Sequence, residues 1–430
     1  MADNFNQKPL DKIFDGFLSG PQIFKNRDVM RATYIPEDLP HRETQIERIG
    51  EILATILKGG VPSNIFLYGK TGTGKTAVAM YVLKHLVAYG EELRQKNPEM
   101  EFSIPLLEVI NCKDVDTDYR IYARLAAKVG EDVPFTGLPT DEVNKRFKDA
   151  LDSKKQIFII VLDEIDQLVK KTSKKASNNN ALYNITRMNS ELRNARVCII
   201  GISNDLKFRE YLDSRVLSSL SEEEMVFPPY KATELLDILT RRAAIGFYPK
   251  VINDGTIEIT AALAAREHGD ARRAIDLLRV AGELAERESG DRVTESHVRR
   301  AQTLIERDTV TDVVKTLPIQ SKLALYSIYL LEKHELTEIY TGDVYTAYTQ
   351  LADNTNLDKL TQRRVSDLIN ELDMLGIITA QVISKGRYGR SKKIRLSIPK
   401  TIITSILEED YVIQKLKDFP IEMKTESEGL

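Results

Sequence analysis

The stretch NIFLYGKTGTGKT, residues 64–76, runs a short apolar strand straight into a glycine-rich loop. Residues 69–76 fit G-x-x-x-x-G-K-[ST], the spacing of a phosphate-binding loop. Glycines let backbone N–H groups close on phosphate oxygens without Cβ obstruction. The next segment, TAVAMYVLKHLVAYG (76–90), reads as a helix whose positive N-terminal end meets the same anion. Gly72, Thr73 and Gly74 then supply the cradle. Lys75 reaches the β- and γ-phosphates, and the Thr76 hydroxyl ligates Mg²⁺. The expected ligand is ATP or ADP with Mg²⁺.

IFIIVLDEID (157–166) supplies the partner. Its apolar run is a buried strand, and Asp163 emerges at the carboxyl end, where open α/β sheets bind ligands. Asp163 is the expected Mg²⁺ holder, through water, and Glu164 is placed to polarise an attacking water. VCIIGISND (197–205) is a further strand ending in Asn204. Asn204 either orients the water and the γ-phosphate or belongs to an Asn-Asp turn. HGDARRAIDLLR (268–279) opens a helix with two arginines in its first turn. Helix starts favour acids, so Arg272 there suits a bound anion; the alternative is a solvated surface arginine.

Outward from these motifs the chain sorts into blocks. ETQIERIGEILATILK (43–58) has helical apolar spacing, and PLLEVINC (105–112) is another strand. A helix-rich insert lies between that strand and the one ending at Asp163. Continuous apolar strands alternating with helices indicate a parallel sheet covered on both faces. The alternation stops at FPPY (227–230), and the pattern is helical to about Arg307. KKTSKKASNNN (170–180) is a polar loop. From Val310 the order is helix (321–334), helix (341–352), helix (361–375), then the strands IITAQVIS and KKIRLSI. That is a winged-helix pattern.

The chain is long enough for two to three domains at 430 residues. Its 42% hydrophobic and 29% charged content fits a soluble globular protein. No apolar run approaches the roughly 20 residues of a membrane helix, and the start has no export-signal pattern. Cys112 and Cys198 sit in apolar contexts and read as buried free thiols, which suits a reducing cytosol. The net charge of −3 leaves nucleic-acid binding open, because local charge decides that.

The phosphate loop, VLDEID, GISND and GDARRAIDLLR fall in order at AAA+ ATPase spacings. With the winged helix, the chain resembles the archaeal origin-recognition and replication-initiator family from about Arg31 to Ile413. That family is related to the largest subunit of the eukaryotic origin-recognition complex and to its helicase-loading partner. The resemblance implies an α/β AAA+ module, with a RecA-like parallel-sheet base and a helical lid, followed by a winged-helix domain. The expected division is an extension at 1–30, the base at 31–228, the lid at 229–308, the winged helix at 309–415 and a tail at 416–430.

YIPEDLPHRETQIERI (34–49) and FPPYKATELLDILTRRA (227–243) are similar to that family's stretches beside the adenine pocket. By this resemblance Asn204 is the first sensor residue and Arg272 the lid arginine that touches the γ-phosphate. Tyr230 and Arg242 resemble lid residues that close over the nucleotide. Pro36, His41 and Arg42 lie where the family packs its adenine, although His41 also suits a plain helix start. The insert 116–130 corresponds to a helix laid against DNA, with Tyr119, Arg120, Tyr122 and Arg124 as candidates. A plain amphipathic helix reads equally well for those side chains. Relatives often carry a serine-serine-arginine element that reaches a neighbour's nucleotide. Here RVLSSLSEE puts Leu220 after the serines, leaving Arg215 as the substitute and favouring a slow, mostly monomeric switch ATPase.

In TQRRVSDLINELDMLG, Val365, Leu368, Ile369, Leu372 and Leu375 form the buried stripe, with Thr361 as N-cap. Gln362, Arg363 and Ser366 suit a DNA groove, since recognition helices lead with their N-terminal end. Glu371 and Asp373 would repel phosphate, so only the first half enters. SKGRYGRSKK (384–393) is the hairpin turn, with Arg387, Tyr388 and Arg390 at its tip. It reads as a wing against duplex DNA or as a solvated tip. The leading expectation is an ATP-dependent origin-binding initiator, cytoplasmic and nucleoid-associated. It would act with the replicative helicase and paralogous initiators, away from membranes. Two rivals are a remodelling or clamp-loader-type ATPase and an ATP-responsive transcriptional regulator.

Overall fold

Five parallel strands form the central sheet of the N-terminal unit, in the order β2-β3-β4-β1-β5. They are β1 (Asn64–Tyr68), β2 (Leu106–Asn111), β3 (Ile157–Asp163), β4 (Arg196–Ser203) and β5 (Glu222–Val226). The structure is a computed structural model. It describes residues 14–15, 20–100, 102–115, 117–134, 136–170, 180–212, 214–219, 222–334, 336, 338–355, 357–384, 390–400, 403, 409–417 and 419–420. The chain divides into two compact units, residues 1–299 and 300–430.

Strand periodicity sorts the core onto two faces. Phe158, Ile160 and Leu162 of β3 face a cluster with Phe66, Ile121, Leu125 and Phe147. Ile157, Ile159 and Val161 face the opposite cluster with Ile49, Leu53, Val78 and Leu83. The first cluster is covered by α3 (Asp118–Val129) and α4 (Thr140–Lys154), the second by α1 (Glu43–Ala54) and α2 (Lys75–Lys96). Both faces are therefore dry, as the continuous apolar strands required. Cys112 and Cys198 are buried free thiols, and burial pushes each up to about 12.

Four of the five strands were expected. β5 was not, because its sequence is EEEMV. It pairs with β1 alone and lies at the sheet edge, where charged residues are tolerated and guard against further pairing. Helix α5 (Asp166–Lys170) follows β3, and α6 (Asn180–Arg187) and α7 (Ser214–Ser219) flank β4.

The lid is α8 (Ala232–Gly246), α9 (Thr256–Glu267), α10 (Ala271–Arg287) and the start of α11 (Glu295–Thr316), inside which the boundary between the units falls. Residues 20–30, read from sequence as part of an extension, pack on this lid. Ile23, Phe24, Val29 and Met30 are buried. Phe24 bridges antiparallel to Phe247, with ring centroids 4.6 Å apart. The Lys25 and Asn26 amides both donate to the Gly246 carbonyl, at 2.9 and 3.0 Å. No period signalled this strap, because its apolar residues fill a groove on another element.

The second unit continues with α12 (Ile319–Lys333), β6 (Ile339–Tyr340), α13 (Thr341–Thr355), α14 (Gln362–Met374), β7 (Ile378–Ser384) and β8 (Arg390–Leu396). Its antiparallel sheet has the order β6-β8-β7. The helices and the hairpin match the winged-helix expectation. The two-residue β6 adds a strand that was too short to read from sequence. Thr361 caps α14, its hydroxyl accepting from the Arg364 amide at 3.4 Å. Val365, Leu368, Ile369 and Leu372 are buried as expected, but Leu375 is 50% exposed. It sits past the last turn, where the helical stripe no longer points inward. Among the described residues, no helix is long and apolar enough to cross a membrane.

Candidate functional site: a phosphate cradle beside an apolar pocket

The phosphate loop joins the C-terminal end of β1 to the N-terminus of α2. Gly74, the N-cap, has φ 92°, a left-handed conformation that strains any residue with a Cβ. Lys75 is 4% exposed, and its ammonium folds back onto the carbonyls of Gly69 and Lys70 at 2.8 and 2.7 Å. Burial lowers its pKa to about 8. An incoming phosphate would replace neutral acceptors by an anion, so binding favours the charged amine.

The Thr76 hydroxyl donates to Asp163 Oδ2 at 2.9 Å, across 87 residues of sequence. Asp163 Oδ1 accepts from the Glu164 amide at 2.9 Å. Glu164 has φ 54°, the kind of backbone strain that collects at functional sites. Lys75, Thr76, Asp163, Glu164, Asn204 and Arg272 all line one small polar cavity of about 40 Å³ with Gly72 and Gly74. The structure thus gathers these phosphate-end candidates, but not the Thr73 side chain, which is buried and donates its hydroxyl to the Lys70 carbonyl at 2.9 Å. Sequence reading missed Asp166, which is 3% exposed. Its Oδ1 accepts from the Ser203 hydroxyl at 3.2 Å and from the Asn204 amide at 3.3 Å, fixing the end of β4. The signal was present as the second aspartate of DEID.

The lid meets the loop at α10. Asp270 caps that helix by accepting from the Arg273 amide at 3.1 Å, and the Ala271 amide donates to the Gly72 carbonyl at 3.1 Å. A Cβ on Gly72 would lie 1.6 Å from Asp270 Oδ1, and φ there is 68°. Gly72→Ala is therefore expected to push the lid helix off the loop and weaken nucleotide binding on the order of tenfold or more. Fluorescent-nucleotide titration measures it; unchanged affinity would show that lid docking does not matter.

A larger cavity of about 740 Å³ opens beside the cradle and shares Gly72, Gly74, Thr76, Ala77 and Arg272 with it. Its walls are Ile35, Pro36 and Leu39 of the segment between the strap and α1, Ile238 and Ile245 of α8, and Ile275 of α10. Tyr230 and Arg242 also line it. Of the three residues expected around the base, Pro36 is there. His41 and Arg42 are not, which corrects that expectation. His41 Nε2 instead pairs with Asp237 Oδ2 at 3.0 Å. Arg42 is buried behind the phosphate loop. Arg242 clamps the strap and the segment after it, donating to the carbonyls of Val29 and Tyr34 at 2.6 and 2.9 Å, so it touches the cavity while holding the wall. The apolar lining was readable in part: Ile238 and Ile245 stand seven apart on α8, off the buried Leu235, Leu239 and Ala243 stripe.

The DNA candidates fare unequally. Tyr122 is 1% exposed within the sheet's core cluster, which removes it as a DNA contact. Its position on α3 alternates with Ile121 and Leu125 on the buried face, so the ring packs where the insert meets the base. Tyr119 is partly buried, and its hydroxyl donates to the Pro134 carbonyl. Arg124 Nε pairs with Glu108 at 2.7 Å while half exposed, and Arg120 is exposed. On α14, Gln362 and Arg363 are exposed and Ser366 half-buried. Asp373 Oδ1 accepts from the Ala380 amide at 2.9 Å, so this acid ties the hairpin to the helix. Arg390 pairs with Ser384 in the strand register. Lys393 is bound to Glu338 at 2.6 Å, and Lys392 to Asn370. Arg387 and Tyr388 lie outside the described residues, as does Leu220; α7 includes Arg215.

A phosphate loop, a strand-end Asp-Glu pair and a helical lid on a five-stranded parallel sheet define an AAA+ ATPase module, here on one chain with a winged helix. The AAA+ class binds nucleotides. Residues 65–228 match the family described as ATPase family associated with various cellular activities. Residues 236–303 match the Cdc6 AAA+ ATPase-type lid domain, and residues 312–406 the CDC6 C-terminal winged helix domain. The chain is 53% identical to the ORC1-type DNA replication protein of Pyrococcus furiosus, covering 100% of both. It is 54% identical to that of Pyrococcus abyssi, over 95% of this chain and 96% of the other. A solved structure of the Aeropyrum pernix ORC1 protein in complex with DNA superposes with TM-score 0.79 at 45% identity, covering 92% of this chain and 99% of that one. The chain belongs to the ORC1-type DNA replication protein family.

Proposed function

We propose that this chain is an ATP-dependent initiator that binds duplex DNA at replication origins and helps recruit the replicative helicase. The observation that carries the nucleotide half is the 2.9 Å Thr76–Asp163 contact in the cavity that Lys75, Glu164, Asn204 and Arg272 also line. A hydroxyl and a carboxylate are hard oxygen donors and fit Mg²⁺, which prefers such ligands with several waters. Bound Mg²⁺ supplies neutralisation of charge on the phosphate oxygens. Pro36 and the isoleucine walls suit a flat apolar base, and Tyr230 and Arg242 belong to the lid side of the same cavity. Lys75 and Arg272 offer cations from the base and from the lid. Glu164 and Asn204 would hold and polarise water. With Arg272 on the lid helix and Lys75 on the base, the phosphate state would bias lid position, making hydrolysis a slow switch.

The DNA half draws on the exposed start of α14 and on the 45%-identical Aeropyrum protein, whose structure is a DNA complex. Arg120 on the insert, with Arg363, Arg387 and Arg390 on the winged helix, are the cations we assign to phosphate or groove contact. We also assign it helicase and paralogous partners, a reading that the family's replication role supports, and the site of action would be the cytoplasmic nucleoid. Arg363→Ala should weaken duplex binding and lower the log–log salt slope by about one. Titration against salt measures it. Failure of the unaltered protein to bind duplex at low salt would overturn the DNA reading. Genome-wide mapping should place the protein at origins, and a footprint confined to promoters would replace the initiator by a regulator.

A further inference from the structure

Behind the phosphate loop lies a buried cation that lines neither cavity. Arg42 precedes α1 and is 2% exposed. Its Nε donates to the Thr73 carbonyl at 2.9 Å, Nη1 to the His41 carbonyl at 2.8 Å and Nη2 to the Pro228 carbonyl at 2.8 Å. The guanidinium carbon stands 3.7 Å from the Tyr230 ring centroid and 5.8 Å from that of Phe227. Burial lowers the pKa of the group, and no carboxylate bonds to it among the described residues. Three carbonyls and two aromatic faces hold the charge instead. A bond from each of the three nitrogens of one buried fork marks an element whose position matters.

The Thr73 carbonyl is the informative partner. Across a trans peptide, the C=O of one residue and the N–H of the next point in opposite directions. Turning the Thr73 carbonyl outward to Arg42 therefore turns the Gly74 N–H to the inner side of the loop, where a phosphate-loop amide acts. Nothing local enforces this, because the peptide precedes a glycine with φ 92°, and glycine peptides rotate with little steric resistance. On its outer side Gly74 meets the same two groups: a Cβ there would lie 2.8 Å from the Tyr230 hydroxyl and 3.7 Å from Arg42 Nε.

We propose that Arg42 is a positioning residue that locks the Thr73–Gly74 peptide with its N–H facing the phosphates and joins that lock to the base–lid hinge at Pro228–Tyr230. The inference rests on the reading of this cavity as a nucleotide site. It differs from a base-packing role, since Arg42 does not line the apolar cavity. The hinge carbonyl of Pro228 and the loop carbonyl of Thr73 share one guanidinium, so a shift of the lid hinge tugs on the loop that grips phosphate.

The test is titration of the full chain with ADP and with adenosine, in the unaltered protein, Arg42→Lys and Arg42→Ala. A lysine keeps the charge but cannot hold three carbonyls in a planar fork. Both variants should lose about 10- to 100-fold in ADP affinity, the worth of a hydrogen bond to a charged group, with adenosine affinity unchanged. A loss shared equally by adenosine, or no loss, overturns the lock. Failure of the unaltered protein to bind ADP overturns the nucleotide reading itself. Amide hydrogen exchange on the unaltered protein needs no variant: Gly74 should be exchange-labile without ADP and protected with it. A Gly74 amide that ADP leaves unprotected also overturns the lock.

Discussion

Glu164→Gln is expected to keep ATP bound and to cut turnover by about 10²- to 10⁴-fold, the usual worth of a positioned general base. The amide has the shape of the carboxylate but cannot take a proton. The backbone that aims it is held independently of the side chain: the Glu164 amide donates to Asp163 Oδ1 at 2.9 Å, and the Ile165 amide to the Ile202 carbonyl at 3.0 Å. The substitution should therefore leave the φ of 54° and the neighbouring Thr76–Asp163 contact in place. Phosphate release and nucleotide retention, measured on the same preparation, separate the two effects. Undiminished hydrolysis would take Glu164 out of its assigned role, and lost binding would make it part of the phosphate grip.

Such a contrast can be designed because the phosphate end was legible in the sequence. Backbone approach to an anion demands glycines at fixed offsets, and a buried strand that ends in acid announces itself over a few residues. Lys75, Thr76, Asp163, Glu164, Asn204 and Arg272 accordingly meet in one cavity. The apolar end was legible only where a motif survived, as at Pro36 and Tyr230. Ile35 with Leu39, Ile238 with Ile245, and Ile275 come from three separate segments, and local spacing does not report that they converge. The same reason hid β5, whose strand pairing is decided by its neighbour β1 and not by its three glutamates. It also misassigned Arg42 and His41. Each has the right type and position for a nucleotide contact, and only the fold shows which way each side chain turns. In the winged helix, the 3.6-residue stripe of α14 was readable to Leu372 and failed at Leu375, one turn too far.

The insert shows most clearly why residue type alone does not make a contact. Tyr122→Ala should destabilise the first unit by about 3–5 kcal/mol, as expected for deleting a large buried ring whose cavity cannot collapse. Tyr122 is 1% exposed among Ile121, Leu125, Phe147 and Phe158, and its hydroxyl lies 3.4 Å from the Ala181 carbonyl, so both its ring and its polar end are committed internally. Any fall in DNA binding would then track loss of the fold. Arg120→Ala should do the reverse. The side chain is exposed on the first turn of α3, whose cap at Thr117 uses the Arg120 amide and survives the change. Stability should hold within about 0.5 kcal/mol, while the salt slope of duplex binding falls by about one if the insert lies on DNA. Urea denaturation alongside salt titration of both variants decides it. A Tyr122→Ala protein of unchanged stability with weakened DNA binding would return the ring to the DNA side. An Arg120→Ala protein with an unchanged slope would leave the winged helix to bind DNA without the insert.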